Sequence, residues 1–72
     1  MIKDINDPIA KKSIKELLDL NWDHYNLYIV GGLIQGWETN DIDIAVTGPI
    51  INHDKFVDLI KKASRIDFID IS

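Results

Sequence analysis

The stretch that decides the fold is Tyr28-Ile-Val-Gly-Gly-Leu-Ile-Gln-Gly-Trp-Glu-Thr-Asn-Asp-Ile-Asp-Ile-Ala-Val46. Its pattern predicts a strand that ends at paired glycines, a short tight connection, and a second strand over residues 41–46. Because successive strand side chains point to opposite faces, we expect Asp41 and Asp43 to share one face of the sheet. Aspartate is depleted in strands, so a pair of aspartates at this position favours a chemical role.

The paired glycines Gly31 and Gly32 strengthen that interpretation. Glycines directly after a strand permit backbone angles that other residues avoid, and they expose N–H groups that can bind phosphate oxygens. Two carboxylates on one face suit a divalent cation that holds a phosphate. The simpler alternative is a turn chosen for steric reasons beside a strand whose acids face water. A dinucleotide fingerprint is excluded because Gly31, Leu33 and Gly36 do not have the required glycine spacing.

The flanking sequence predicts the order helix, strand, strand, helix, strand. Asp7 and Pro8 are typical of a helix start, and Asn52 is a suitable cap for the second helix. The predicted elements are a helix over 8–20, strands over 27–30 and 41–46, a helix over 53–63 and a strand over 65–71. We therefore expect an α+β domain with a three-stranded mixed sheet and both helices on one face. The opposite face, which carries Asp41 and Asp43, would lie open.

Length and composition limit the alternatives. Seventy-two residues make one domain, residues 1–72, which buries only about 60% of its unfolded surface. The chain has no cysteine for disulfides, so we expect a homo-oligomer or a partner chain to stabilise it. The lack of cysteine also fits a cytoplasmic location. No stretch is apolar for long enough to span a membrane, so no membrane partner is expected.

Charge is unevenly distributed along the sequence. The formal net charge of −4 argues against a surface that binds nucleic acid by neutralising its phosphates. All eight Lys and Arg residues lie before residue 16 or after residue 54. The glycine and aspartate motif therefore has no cation near it in sequence. His24 and His53 are interpreted as surface histidines, because a lone histidine with no nearby ligand pattern is usually solvated.

The motif resembles a known family. Val30-Gly31-Gly32, followed by Asp41-Ile42-Asp43-Ile44, is similar to the signature of the DNA polymerase β-type nucleotidyltransferase superfamily. The resemblance is closest to the tRNA nucleotidyltransferase branch and to minimal nucleotidyltransferases. The predicted order of helices and strands also matches the core of that fold. The resemblance implies transfer of a nucleoside monophosphate from a nucleoside triphosphate such as ATP to a hydroxyl, with two Mg²⁺ ions held by three acids.

The resemblance also assigns roles to residues. Gly31 and Gly32 would bind the nucleotide phosphates, and Asp41 and Asp43 would be catalytic metal ligands. The third acid would lie on the last strand. Asp67 is the first candidate for it, because a regular strand over 65–71 points Ile66 and Phe68 into the core. Asp70, on the opposite side of such a strand, is the reserve candidate.

Two questions stay open from the sequence. The first is whether the chain is a nucleotidyltransferase or a catalytically reduced relative that binds a nucleotide or a protein partner through the open sheet face. The second concerns Trp37, which lies in the connection between the two motif strands. Its indole can stack on a base or can simply cover the connection.

Overall fold

The computed structural model describes residues 1–71, and it confirms the predicted α+β class and the predicted order of elements. The five elements are α1 (Pro8–Leu18), β1 (Asn26–Val30), β2 (Ile42–Thr47), α2 (His53–Ser64) and β3 (Ile69–Ile71). The strands form one mixed sheet in the order β1-β2-β3. β1 pairs with β2 antiparallel, and β3 pairs with β2 parallel, after the chain crosses over through α2.

Both helices begin where the sequence predicts. The Asp7 carboxylate accepts a hydrogen bond from the backbone N–H of Ile9 at 3.0 Å, and the amide oxygen of Asn52 accepts one from Lys55 at 3.1 Å. These side chains satisfy backbone donors that the first helical turn leaves free. α1 ends at Leu18, two residues before the predicted end, and the side chain of Trp22 caps its last turn. The Trp22 indole N–H donates to the Leu17 carbonyl at 2.7 Å, so one of the last carbonyls of the helix is satisfied by a side chain.

The core lies on one face of the sheet. Ile42 and Ile44 alternate along β2 and are almost fully buried, together with Ile69 of β3. The helices contribute small and aliphatic side chains to the same cluster, namely Ala10 and Leu17 from α1 and Ala63 from α2. The helices therefore pack against the isoleucine face of β2, as the sequence predicts.

The opposite face of the sheet is not covered by any described element. Its side chains alternate along the strands with those of the core and include Tyr28, Val30, Asp43, Ala45 and Asp70. Tyr28, Val30 and Asp70 are exposed, whereas Asp43 and Ala45 are half-buried. Within residues 1–71, no helix is long and apolar enough to cross a membrane.

Two features of the fold were not predicted. Ile2 lies in the core at 1% exposure and forms an isolated antiparallel bridge with Thr39, with N–H to carbonyl distances of 2.8 and 2.9 Å. The third strand is also shorter than the predicted 65–71. It begins at Ile69, because residues 65–68 turn tightly between α2 and the sheet, and Phe68 adopts a left-handed conformation with φ of 68°.

Candidate functional site

The first part of the site is the glycine turn that follows β1. Gly31 has a φ of +77°, which L side chains rarely adopt, and its backbone packs directly against the side chain of Asp43. A Cβ placed on Gly31 would lie only 3.2 Å from the Asp43 carboxyl carbon and would overlap a carboxylate oxygen. Glycine is therefore required at this position for two independent reasons, the backbone angle and the closeness of Asp43.

The connection after the glycines forms a compact turn and does not form a regular helix. The Gly31 carbonyl accepts from the N–H of Gln35 at 3.3 Å, and the Gly32 carbonyl accepts from Trp37 at 3.0 Å. Leu33 is buried and holds the turn to the core, while Trp37 is exposed. The predicted short, tight connection between the two motif strands is confirmed.

Asp43 is at the centre of the acidic group. It lies on β2, in register with Val30 on one side and with Asp70 on the other. Partial burial raises the pKa of the Asp43 carboxyl, and the negative charge of Asp70 raises it further. The hydrogen bond that a protonated Asp43 carboxyl can donate to Asp70, and the negative charge of Asp41, raise this pKa in the same direction. The three acids therefore interact electrostatically at this point of the open face.

Asp41 lies just outside β2, which begins at Ile42 and not at residue 41 as predicted. Thr39 fixes its backbone, because the Thr39 hydroxyl donates to the Asp41 carbonyl at 2.9 Å and accepts from the Asp41 N–H at 3.3 Å. The Asp41 side chain is exposed, yet its charge still reaches Asp43. Asp41 and Asp43 are thus neighbours without being alternate residues of one regular strand.

The structure places Asp70 beside Asp43, and it leaves Asp67 in the turn before β3. The prediction that residues 65–71 form one regular strand is wrong, and with it the argument that pointed Ile66 and Phe68 into the core. Ile66 does pack against the core, but Phe68 is exposed and its carbonyl accepts from the N–H of Ile42 at 2.6 Å. The left-handed turn at Phe68 resets the alternation, so Asp70 takes the position next to Asp43.

The donor set suits a divalent cation in part. Carboxylate oxygens are the ligands that Mg²⁺ and Ca²⁺ prefer, and a cation would relieve the repulsion between Asp43 and Asp70. However, no three His, Cys, Asp or Glu side chains in residues 1–71 converge closely enough to form a ready metal centre. The chain therefore supplies a carboxylate pair, with Asp41 at its side as a third acid that would have to turn inward.

Two lysines of α2 have contacts that do not involve the acidic group. Lys62 of α2 pairs with Asp58, one turn earlier, at 3.0 Å. Lys55 lines a separate groove of about 490 Å³ between the 20–25 connection and α2. None of the predicted site residues lines that groove.

His24 also lies at that groove, where its two ring nitrogens already have partners. Nε2 contacts the Pro49 carbonyl, and Nδ1 lies 3.5 Å from the Asp23 carboxylate. The ring also packs against Tyr25 with centroids 4.2 Å apart. His53 is exposed in the first turn of α2, at 3.9 Å from Asp54. The exposed position of His53 agrees with its interpretation as a surface histidine, whereas His24 is half-buried and its ring is held by these contacts.

Comparison of the chain with protein-family models, with curated proteins and with solved structures found no match.

Proposed function

We propose that the chain binds a nucleoside triphosphate with Mg²⁺ on its open sheet face and transfers the nucleoside monophosphate to a hydroxyl. The observation that carries the proposal is the contact between the Gly31 backbone and Asp43, with Asp70 in register beside it. A phosphate site needs backbone N–H groups near the phosphate and a cation to offset its charge, and carboxylates hold the cation. The glycine turn supplies the backbone, and the acid pair supplies the carboxylates, within one small region.

The residues have distinct roles in this proposal. Asp43 and Asp70 would hold Mg²⁺, with Asp41 as the third acid, and the Gly31–Gly32 segment would present backbone N–H groups to phosphate oxygens. When bound, Mg²⁺ offsets phosphate charge and activates the attacking oxygen. The acceptor oxygen forms a bond to the α-phosphorus as the bond to the bridging oxygen breaks. Pyrophosphate leaves, and the hydroxyl proton passes to solvent.

A second candidate is a reduced relative that binds the nucleotide, or a partner chain, without transfer. Two observations favour it: the three acids do not converge, and no Lys or Arg lies between residues 16 and 54. A transferring enzyme would need Asp41 to turn inward and a cation from a homo-oligomer or a partner chain. A binding module would need neither.

The test is calorimetric titration of Mg·ATP into the wild-type chain and into two matched variants, Asp70→Asn and Asp67→Asn. Both variants remove one carboxylate from the same short segment, but only Asp70 is in register with Asp43. We expect Asp70→Asn to weaken binding at least tenfold and Asp67→Asn to leave it unchanged. Equal affinities for all three proteins, or no binding by the wild type, would contradict the proposal. Release of pyrophosphate in the presence of a hydroxyl acceptor then separates the transferase from the binding module.

A further inference from the structure

Trp37 has an indole side chain that does not pack in the core. Its side chain is 65% exposed, whereas Trp22 is buried at 8% and donates its indole N–H to the Leu17 carbonyl. Its indole presents a flat apolar face to solvent, which is the kind of surface on which a base can stack. Trp37 is therefore available to contact a ligand.

The ring is held close to the acidic site. The backbone N–H of Trp37 donates to the Gly32 carbonyl at 3.0 Å, and a Cβ on Gly32 would lie 3.6 Å from Cε3 of the indole. The preceding residue, Gly31, contacts Asp43. Because consecutive Cα atoms are about 3.8 Å apart, the indole and the Asp43 carboxyl lie within the reach of one nucleoside triphosphate.

We propose that Trp37 is the platform on which the base of the bound mononucleotide stacks. This inference rests on the proposed function, and it explains how a site whose motif has no Lys or Arg near it in sequence gains affinity. Stacking on an aromatic ring needs no charge, and it tolerates any base because every base has a π-face. The chain would accordingly bind purine and pyrimidine triphosphates with similar affinities, and inorganic tripolyphosphate more weakly.

The experiment compares Mg·ATP with Mg·tripolyphosphate, which has the phosphates but no base. The proteins are the wild type, Trp37→Ala, Trp37→Phe and the control Ile34→Ala. The Ile34 side chain lies on the same turn and is exposed to a similar extent, at 59% against 65% for Trp37. We expect Trp37→Ala to weaken Mg·ATP binding about fivefold or more, with a smaller loss for Trp37→Phe. Tripolyphosphate binding should not change in any variant. Ile34→Ala should bind both ligands as the wild type does.

Fluorescence gives a second readout on the same proteins. Mg·ATP should quench the emission of the wild type, and it should leave the emission of Trp37→Phe unchanged, because Trp22 is then the remaining indole and is buried.

Four results would overturn the inference. If Trp37→Ala binds Mg·ATP normally while Asp70→Asn does not, the base platform is wrong and the proposed function stands. If Trp37→Ala weakens the binding of Mg·ATP and of Mg·tripolyphosphate by the same factor, Trp37 supports the turn and does not contact the base. A single-stranded oligoadenylate is titrated as a third probe. If Trp37→Ala binds it more weakly than the wild type does, but binds Mg·ATP normally, Trp37 stacks on the end of a nucleic acid and not on a mononucleotide. Failure of the wild type to bind either small ligand would overturn both proposals together.

Discussion

Asp43 is held in surroundings that oppose its ionisation, and this has a consequence for stability. Burial, the Asp70 charge, the carboxyl hydrogen bond and the Asp41 charge together raise its pKa above the ordinary value of 3.8. The folded chain therefore holds this proton more tightly than the unfolded chain does. Stability falls as the pH rises from 3.8 through the raised pKa, and the full penalty remains at neutral pH.

Asp43→Asn should therefore stabilise the fold at neutral pH. Like charges opposite each other on paired strands destabilise a sheet by about 0.2–1 kcal/mol, and the substitution removes one such contact. The gain should shrink as the pH falls and should vanish below pH 3.8, where the wild-type carboxyl is also neutral. Thermal unfolding across this pH range measures it, with Asp67→Asn as the control. A lower melting temperature for Asp43→Asn at neutral pH would contradict the account.

Gly31 and Gly36 form a matched pair of glycines. Both have positive φ, but a Cβ on Gly36 would meet nothing within 4 Å, whereas one on Gly31 would overlap the Asp43 carboxylate. Gly36→Ala should destabilise the chain by about 1–2 kcal/mol, which is the usual steric penalty of a left-handed alanine. Gly31→Ala should destabilise it by more and should also weaken Mg·ATP binding. Chemical denaturation of both variants tests this, and equal losses would show that the contact with Asp43 is unimportant.

The sequence was sufficient to identify some residues of the candidate site and insufficient for others. Gly31, Gly32, Asp41 and Asp43 stand out because glycine pairs and strand aspartates are unusual in a small domain. Asp70 was predicted only as the reserve candidate for the third acid, because the alternation of side chains was counted along a regular strand from residue 65. The turn that resets the alternation depends on Phe68 in a left-handed conformation, and no local signal in a phenylalanine predicts that conformation.

At the scale of elements, the connection before β2 is fixed by the N-terminus. Ile2 pairs with Thr39, and the Thr39 hydroxyl in turn holds the backbone of Asp41. Because this pairing joins residues 37 positions apart in sequence, periodicity could not reveal it. The helices and the two motif strands were predictable because capping residues and alternation are local signals. A single isoleucine in the irregular N-terminal segment carries no periodic signal.

Ile2→Ala should therefore affect both stability and the site. Removing this fully buried side chain should destabilise the fold by about 2–5 kcal/mol, and the connection that carries Asp41 should loosen. Ile5→Ala, at a side chain that is 45% exposed, is the control and should have a small effect. Denaturant titration measures the stability, and amide hydrogen exchange at residues 39–41 measures the loosening. Unchanged exchange in Ile2→Ala would show that the bridge does not support the site.

The whole molecule is elongated and has a thin core. Its extents are 36 × 19 × 15 Å, and its radius of gyration of 12.2 Å exceeds the value of about 11 Å expected for a compact chain of this length. Among residues 1–71 the core contains nine buried apolar residues, while Tyr28 and Val30 remain exposed on the open sheet face. A small domain with these properties gains stability if a second copy covers that face.

We therefore expect the melting temperature to rise with protein concentration, since association stabilises a fold by mass action. Tyr28→Glu places a charge on the open face and should abolish the concentration dependence. Ile51→Glu adds the same charge at an exposed position on the side of the 20–25 groove, and it should preserve the dependence. Thermal unfolding over a wide concentration range, together with sedimentation velocity, measures both effects. If the wild-type melting temperature is independent of concentration, the open face is free in solution, and any cation that the nucleotide requires must come from another protein or from Mg²⁺ alone.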